Sequence, residues 1–210
     1  MTIEYLREGP STPRLLLAHG AGAGMESDFM QRMAALIAAA GVGVVRFEFP
    51  YMAERRQTGK KRPPDRQPLL LESWRQVLED HAGQGPLFIG GKSMGGRMAT
   101  VLAAELEAEG RPVAGVACLG YPFHPPAKPE KLRTEHLQSL RTPVLILQGS
   151  RDPMGSREEV AGYPLSDAVC LSWLDDGDHD LKPRVKSGCS HEQHMVSAAG
   201  QIAGFIRTHG

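Results

Sequence analysis

The stretch LFIGGKSMGGRMA, Leu87–Ala99, decides how the rest of the chain reads. An apolar run, Pro86–Gly91, is followed by a lone serine, Ser93, and then by a helical pattern carrying Met98, Val101, Leu102 and Leu106 on one face. An ordinary turn does not require four glycines around one hydroxyl. A nucleophile held on a strained strand-to-helix turn does, because the chain reverses sharply and side chains two residues either side would clash. Gly91-Lys92-Ser93-Met94-Gly95 matches the Gly-x-Ser-x-Gly pattern of such a turn. As a bare pattern it is weak; its place between strand and helix gives it mechanical meaning. The N–H of Met94, at the helix start, is then aimed where an oxyanion would form. The segment also contains Gly-Lys-Ser of a phosphate-binding loop, but that pattern needs glycine at position 86, where Pro86 stands.

Outward from this turn, short apolar runs alternate with amphipathic helical patterns. Strands are expected at Arg14–Gly20, Val42–Phe49, Pro86–Gly91, Pro112–Gly120, Thr142–Gly149 and Ala168–Leu174, with a weak one at Ile3–Leu6. Helices are expected from Ser27 to Gly41, over Leu69–Ala82, after Ser93 and from His191 to the end. Near-continuous apolar strands between such helices indicate a mostly parallel sheet of about seven strands covered on both faces, an α/β three-layer fold. Two long connections stand out. Pro50–Pro68 reads as a basic loop rich in arginine and lysine between Glu54 and Arg66, and Tyr121–Arg141 as a proline-rich loop with a short helix near Glu130–Leu140.

The 210 residues read as one domain, and 24 Lys plus Arg balance 24 Asp plus Glu. Nothing in that balance points to nucleic acid or an anionic membrane as a partner. No apolar stretch approaches the roughly 18 residues of a spanning helix, and the N-terminus lacks a signal-peptide pattern. Three cysteines without metal-type spacing, Cys118, Cys170 and Cys189, fit reduced thiols in a soluble, cytoplasmic protein. Cys118 and Cys170 fall inside strand-like runs and are expected in the core.

A serine hydroxyl needs a base, and the base needs an orienting acid. On this kind of sheet the expected chain order is Ser, Asp or Glu, then His. Asp152, in LILQGSRDPMG, and His179, in WLDDGDHDLK, each follow a strand directly. Ser93, Asp152 and His179 therefore all leave one edge of the sheet, where ligands bind in such folds. The other histidines lie in helices or loops without that position, except His19, which precedes Ser93 and suits the oxyanion loop. Asp175, Asp176, Asp178 and Asp180 crowd His179; read as a metal site they lack a fixed coordination pattern, and no metal is assigned.

LLLAHGAGAGM, Leu15–Met25, is the second glycine-rich strand end. Its small residues let substrate approach the backbone, and the oxyanion donor is assigned to Ala21, with Gly22 next. A dinucleotide loop fits poorly, since Gly20 and Gly22 are followed by Met25 where the third glycine belongs.

Together LAHGAGAGM, GGKSMGGRMA, LQGSRDPMG and GDHDLK resemble the α/β-hydrolase superfamily. More closely they are similar to a small bacterial family of predicted α/β-hydrolases, related to dienelactone-hydrolase-type enzymes and to the hydrolase-like domain of a eukaryotic chromatin-complex subunit. The resemblance spans nearly the whole chain. It implies Ser93 as nucleophile, His179 as base and Asp152 as orienting acid, and it implies no particular substrate. The expectation is a cofactor-independent serine hydrolase acting on a small ester or thioester, with a minimal cap and an open site walled by Pro122, Phe123 and Pro125. The alternative is a binding module of low turnover that uses the basic loop Glu54–Arg66 as its contact surface. Lys92, at the variable position before Ser93, reads most simply as a lysine whose tip reaches solvent.

Overall fold

The structure, a computed structural model, describes residues 3–83 and 85–210. Its strands are β1 (Tyr5–Glu8), β2 (Arg14–Ala18), β3 (Gly43–Phe47), β4 (Leu87–Lys92), β5 (Gly115–Leu119), β6 (Val144–Gly149) and β7 (Val169–Leu174). They form one sheet in the order β1-β3-β2-β4-β5-β6-β7, parallel throughout except for β1, which runs antiparallel to β3. The helices are α1 (Asp28–Ala39), α2 (Pro50–Thr58), α3 (Gln67–Asp80), α4 (Met94–Ala108), the short α5 (Arg157–Val160) and α6 (His191–His209).

The central strands bury both faces, which is why they read as apolar runs rather than alternating ones. From β2, Leu16 and Ala18 enter a core with Trp74 of α3 and Met98 and Leu102 of α4. Leu15 and Leu17 enter the opposite core, with Met33 and Ile37 of α1 and Ile202 and Ile206 of α6. The long helices α1, α3, α4 and α6 cover the sheet with apolar faces at helical spacing.

The order of the strands reverses between β2 and β4. Crossovers leave these two neighbours in opposite directions, which opens a crevice beyond their C-terminal ends. Ala18 and Gly91 are register partners there, so the glycine-rich segment after β2 lies directly beside the turn after β4.

Four expectations need correction. Pro50–Pro68 is not one loop: Pro50 opens helix α2, and Gly59, with φ +72°, closes it before a short stretch leads into α3. The helix expected near Glu130–Leu140 is only a 3-10 turn at Glu135–Gln138. Cys118 is buried, but Cys170 is exposed, because β7 is the sheet edge and its residues are only partly covered. Phe123 is fully buried against Tyr121 and Tyr163 rather than lining an open pocket.

Candidate active site

Ser93 occupies the single residue between β4 and α4, at φ 51° and ψ −116°. That backbone conformation is unfavourable for a side-chain-bearing residue, and the neighbours over-determine it. The Ser93 N–H donates to the Leu119 carbonyl of β5 at 2.9 Å, and its carbonyl accepts from the Arg97 N–H at 3.0 Å. Glycine is required beside it. A Cβ on Gly91 would stand 2.6 Å from the Gly95 backbone, and one on Gly95 would stand 2.5 Å from the His19 carbonyl. Met94 is the first residue of α4, so its N–H has no acceptor within the helix.

The structure brings the three predicted side chains together. His179 Nε2 lies 2.8 Å from Ser93 Oγ, and His179 Nδ1 lies 2.7 Å from Asp152 Oδ2. Asp152 is fully buried and its oxygens are fixed. Oδ1 accepts from the Met154 N–H at 2.8 Å, and Oδ2 accepts from Gln148 Nε2 at 2.8 Å. Gln148 is anchored in turn by the Tyr121 N–H, 2.7 Å from its Oε1. An amide inside the otherwise apolar strand LILQG was the one sequence signal for this residue.

Lys92 overturns its solvent-tip reading. It is buried, and its Nζ donates to the His179 carbonyl at 2.8 Å and pairs with Asp180 Oδ1 at 3.1 Å. Burial lowers the Lys92 pKa, opposed mainly by the charge of Asp180. Burial works against the Asp180 charge as well, but Lys92 outweighs it and holds that carboxyl below the usual carboxylate range. The acids around His179 are therefore dispersed by individual partners. Asp175 pairs with Arg157, Asp176 with Arg184 and Asp180 with Lys92, while Asp178 Oδ1 accepts the N–H groups of Asp180 and Lys182.

The segment after β2 is held by its carbonyls. His19 Nε2 accepts the Phe49 N–H at 3.1 Å, which places the ring proton on Nδ1; that nitrogen donates to the Gly20 carbonyl at 2.7 Å. Burial keeps the His19 pKa low, so the ring stays neutral. The Tyr51 hydroxyl donates to the Ala21 carbonyl at 2.9 Å, and Arg55 Nη1 donates to the Gly22 carbonyl at 2.9 Å. In a trans peptide the N–H points opposite to the preceding carbonyl. Anchoring three successive carbonyls thus sets the directions of the Ala21, Gly22 and Ala23 N–H groups together.

Gly20, Ala21 and Gly22 line a cleft of about 1020 Å³ with Ser93, Met94 and His179. Pro122 also lines it, whereas Phe123 and Pro125 do not. The cleft is open enough to leave the His179 side chain 21% exposed. Half of the basic run is tied into the chain, while Lys60, Lys61 and Arg66 are exposed: Arg55 holds Gly22, Arg56 pairs with Glu48 and Glu4, and Arg62 pairs with Glu54 and Asp65. Among the described residues no helix is long and apolar enough to cross a membrane.

The family model for the alpha/beta hydrolase domain matches residues 11–207. The chain belongs to the alpha/beta hydrolase family. Solved structures agree on the fold. A dienelactone hydrolase from Anabaena variabilis is 19% identical, with a TM-score of 0.70 over 99% of this chain and 92% of that one. A serine hydrolase without lid from Xanthomonas campestris is 15% identical, with a TM-score of 0.66 over 98% and 88%. A monoacylglycerol lipase from Paleococcus ferrophilus is 14% identical, with a TM-score of 0.72 and full coverage of both chains at 100%. Within this alpha/beta hydrolase the segment Tyr121–Arg141, which follows β5, holds little more than one 3-10 turn.

Proposed function

We propose that this alpha/beta hydrolase is a serine hydrolase of small carboxylic esters or thioesters, with Ser93 as nucleophile, His179 as base and Asp152 as orienting acid. The observation that carries the reading is the unbroken chain from Ser93 Oγ to His179 Nε2 at 2.8 Å and from Nδ1 to Asp152 at 2.7 Å. In the first step Ser93 Oγ attacks the acyl carbon while His179 Nε2 takes its proton. The resulting imidazolium is stabilised by Asp152, whose position Gln148 and Met154 fix. The carbonyl oxygen becomes an oxyanion, for which the N–H groups of Met94 and Ala21, with Gly22 beside them, are the assigned donors. Such a donor is worth about 3 kcal/mol in other enzymes. The carbonyl–leaving-group bond then breaks, and the leaving oxygen or sulfur takes the proton from His179. Water repeats the sequence on the acyl-enzyme and releases the acid. Every step uses groups of this chain and water.

The open cleft and the absence of a cap domain in Tyr121–Arg141 favour small or extended acyl groups. The test is labelling by a fluorophosphonate probe with mass mapping, beside a Ser93→Ala control. An adduct on Ser93, absent from the control and formed far faster than on free serine, is the expected result. A folded protein that gives no adduct would remove Ser93 from the role assigned to it.

A further inference from the structure

Two arginines on the wall of the cleft have no ion-pair partner among the described residues. Arg97 stands in the first turn of α4, four residues after Ser93. Arg133 comes from another part of the chain, the segment Tyr121–Arg141 after β5. Both line the cleft that holds Ser93 and His179. Among the described residues no carboxylate lies within ion-pair distance of either guanidinium, although most arginines of this chain have one.

The other charges of the cleft are already engaged or exposed. Lys92 pairs with Asp180 and Arg32 with Glu192, while Lys182 is exposed. Asp65 accepts from Arg62 and from the Tyr51 N–H. Arg97 donates only to the neutral amide of Gln67, at 3.2 Å, and its Nε is a buried donor with no acceptor among the described residues. The pair is also mutually costly. Burial lowers the Arg133 pKa first, and the Arg97 charge lowers it further. The same Arg97 charge adds to burial in holding His136 neutral, at a pKa of about 4.

These arginines are not loosely draped. Arg97 sits on the first turns of a long helix. Arg133 is fixed through its backbone, its N–H donating to Phe123 at 2.8 Å and its carbonyl accepting from the buried Tyr121 hydroxyl at 2.9 Å. Two guanidinium forks carried on anchored backbone, both partly buried and one with its Nε short of an acceptor, match an oxyanion presented between them.

We propose that Arg97 and Arg133 form an anion subsite that binds a carboxylate or phosphate group of the substrate, in the cleft that also holds Ser93. The preferred substrates are then esters or thioesters with an acidic group on the acyl chain. That the anion is part of a substrate rests on the hydrolase reading above; that these two arginines bind an oxyanion does not.

The test has a binding arm and a turnover arm. In the first, calorimetry measures glutarate and inorganic phosphate on the wild type and on Arg97→Gln/Arg133→Gln. At least one anion is expected to bind the wild type about tenfold more tightly than the double variant; the tighter of the two identifies the group. Equal binding to both proteins, or no binding to either, overturns the subsite whether or not the protein turns over any ester. In the second arm, kcat/KM is compared for p-nitrophenyl hydrogen glutarate and p-nitrophenyl valerate, with Ser93→Ala as the background. The glutarate-to-valerate ratio is expected to fall about tenfold or more in the double variant. An unchanged ratio overturns the subsite, whereas turnover of neither ester counts against the hydrolase reading and leaves the binding result to decide this one. Should the double variant melt early, Arg133→Gln alone must weaken anion binding and Arg97→Lys must retain part of it.

Discussion

Lys92 Nζ donates to the main-chain carbonyl of His179 at 2.8 Å, tying the residue before the proposed nucleophile to the residue proposed as its base. Both ends of the Ser93–His179 contact are thus set by neighbouring positions, Lys92 at the end of β4 and Ser93 directly after it. Lys92→Met keeps the apolar stem but leaves the His179 carbonyl without its donor and Asp180 without its partner. A displaced imidazole near 1 Å out of place costs up to about a hundredfold in rate. The expected result is a fall of about 10- to 100-fold in kcat and in the rate of Ser93 labelling, with KM changed by less than about threefold. Labelling at the wild-type rate would show that Lys92 serves stability alone.

Tyr51 and Arg55 belong to helix α2, yet they act on the segment after β2. Tyr51→Phe frees the Ala21 carbonyl and Arg55→Gln loosens that of Gly22, so the N–H groups that follow lose their set directions. Neither change touches the three side chains around Ser93. The expected loss is about tenfold in kcat for either variant, smaller than the roughly 10²–10³ for deleting an oxyanion donor outright. Binding of a tetrahedral analogue such as a boronic acid should weaken in parallel, and unaltered analogue affinity alongside a lower kcat would place the defect elsewhere.

His136 makes acid stability measurable at one residue. Its pKa is pushed down to about 4, by burial first and by the Arg97 charge second, while in the unfolded chain it is near 6.5. Between those values the unfolded chain holds a proton that the folded one does not. Stability is therefore complete above the upper value and lost as pH falls, by about 1.4 kcal/mol per pH unit for this one group. His136→Gln should remove that increment from the slope of unfolding free energy against pH in denaturant titrations. His19 and His81 shift in the same direction, so a residual slope remains. Equal slopes in wild type and variant would mean His136 is protonated in the fold.

Much of this site is legible in the sequence because strand ends and glycines carry it. Ser93, Asp152 and His179 each follow an apolar run, and parallel strands deliver their C-terminal ends to one edge. What was hidden depends on side chains that leave no periodic trace. Helix α2 buries only Tyr51 and Met52 and is mostly polar or charged beyond them, so it showed no apolar stripe, although Pro50 and Gly59 are its start and stop signals. The buried state of Lys92 follows from a loop three strands away in the sheet, which no local pattern encodes. Cys170 misled because a strand reads alike at a sheet's centre and at its edge.

The strain at Ser93 separates the needs of the proposed chemistry from those of the fold. At φ 51° and ψ −116° a Cβ is disfavoured, whereas glycine adopts this region readily. Such residues store about 1–3 kcal/mol, offset here by the bonds to Leu119 and Arg97. Ser93→Ala and Ser93→Gly both delete the hydroxyl and its contact with His179, so comparing them isolates the backbone. Glycine carries extra entropy in the unfolded chain, which returns about 0.4–1 kcal/mol of the relief. Ser93→Gly should still exceed Ser93→Ala in stability by about 1 kcal/mol, a difference of about 2–4 °C in Tm for a domain of this size. Neither variant should take up the fluorophosphonate. A glycine variant that melts at or below the alanine one would show that the turn is relaxed and that its geometry is imposed without stored energy.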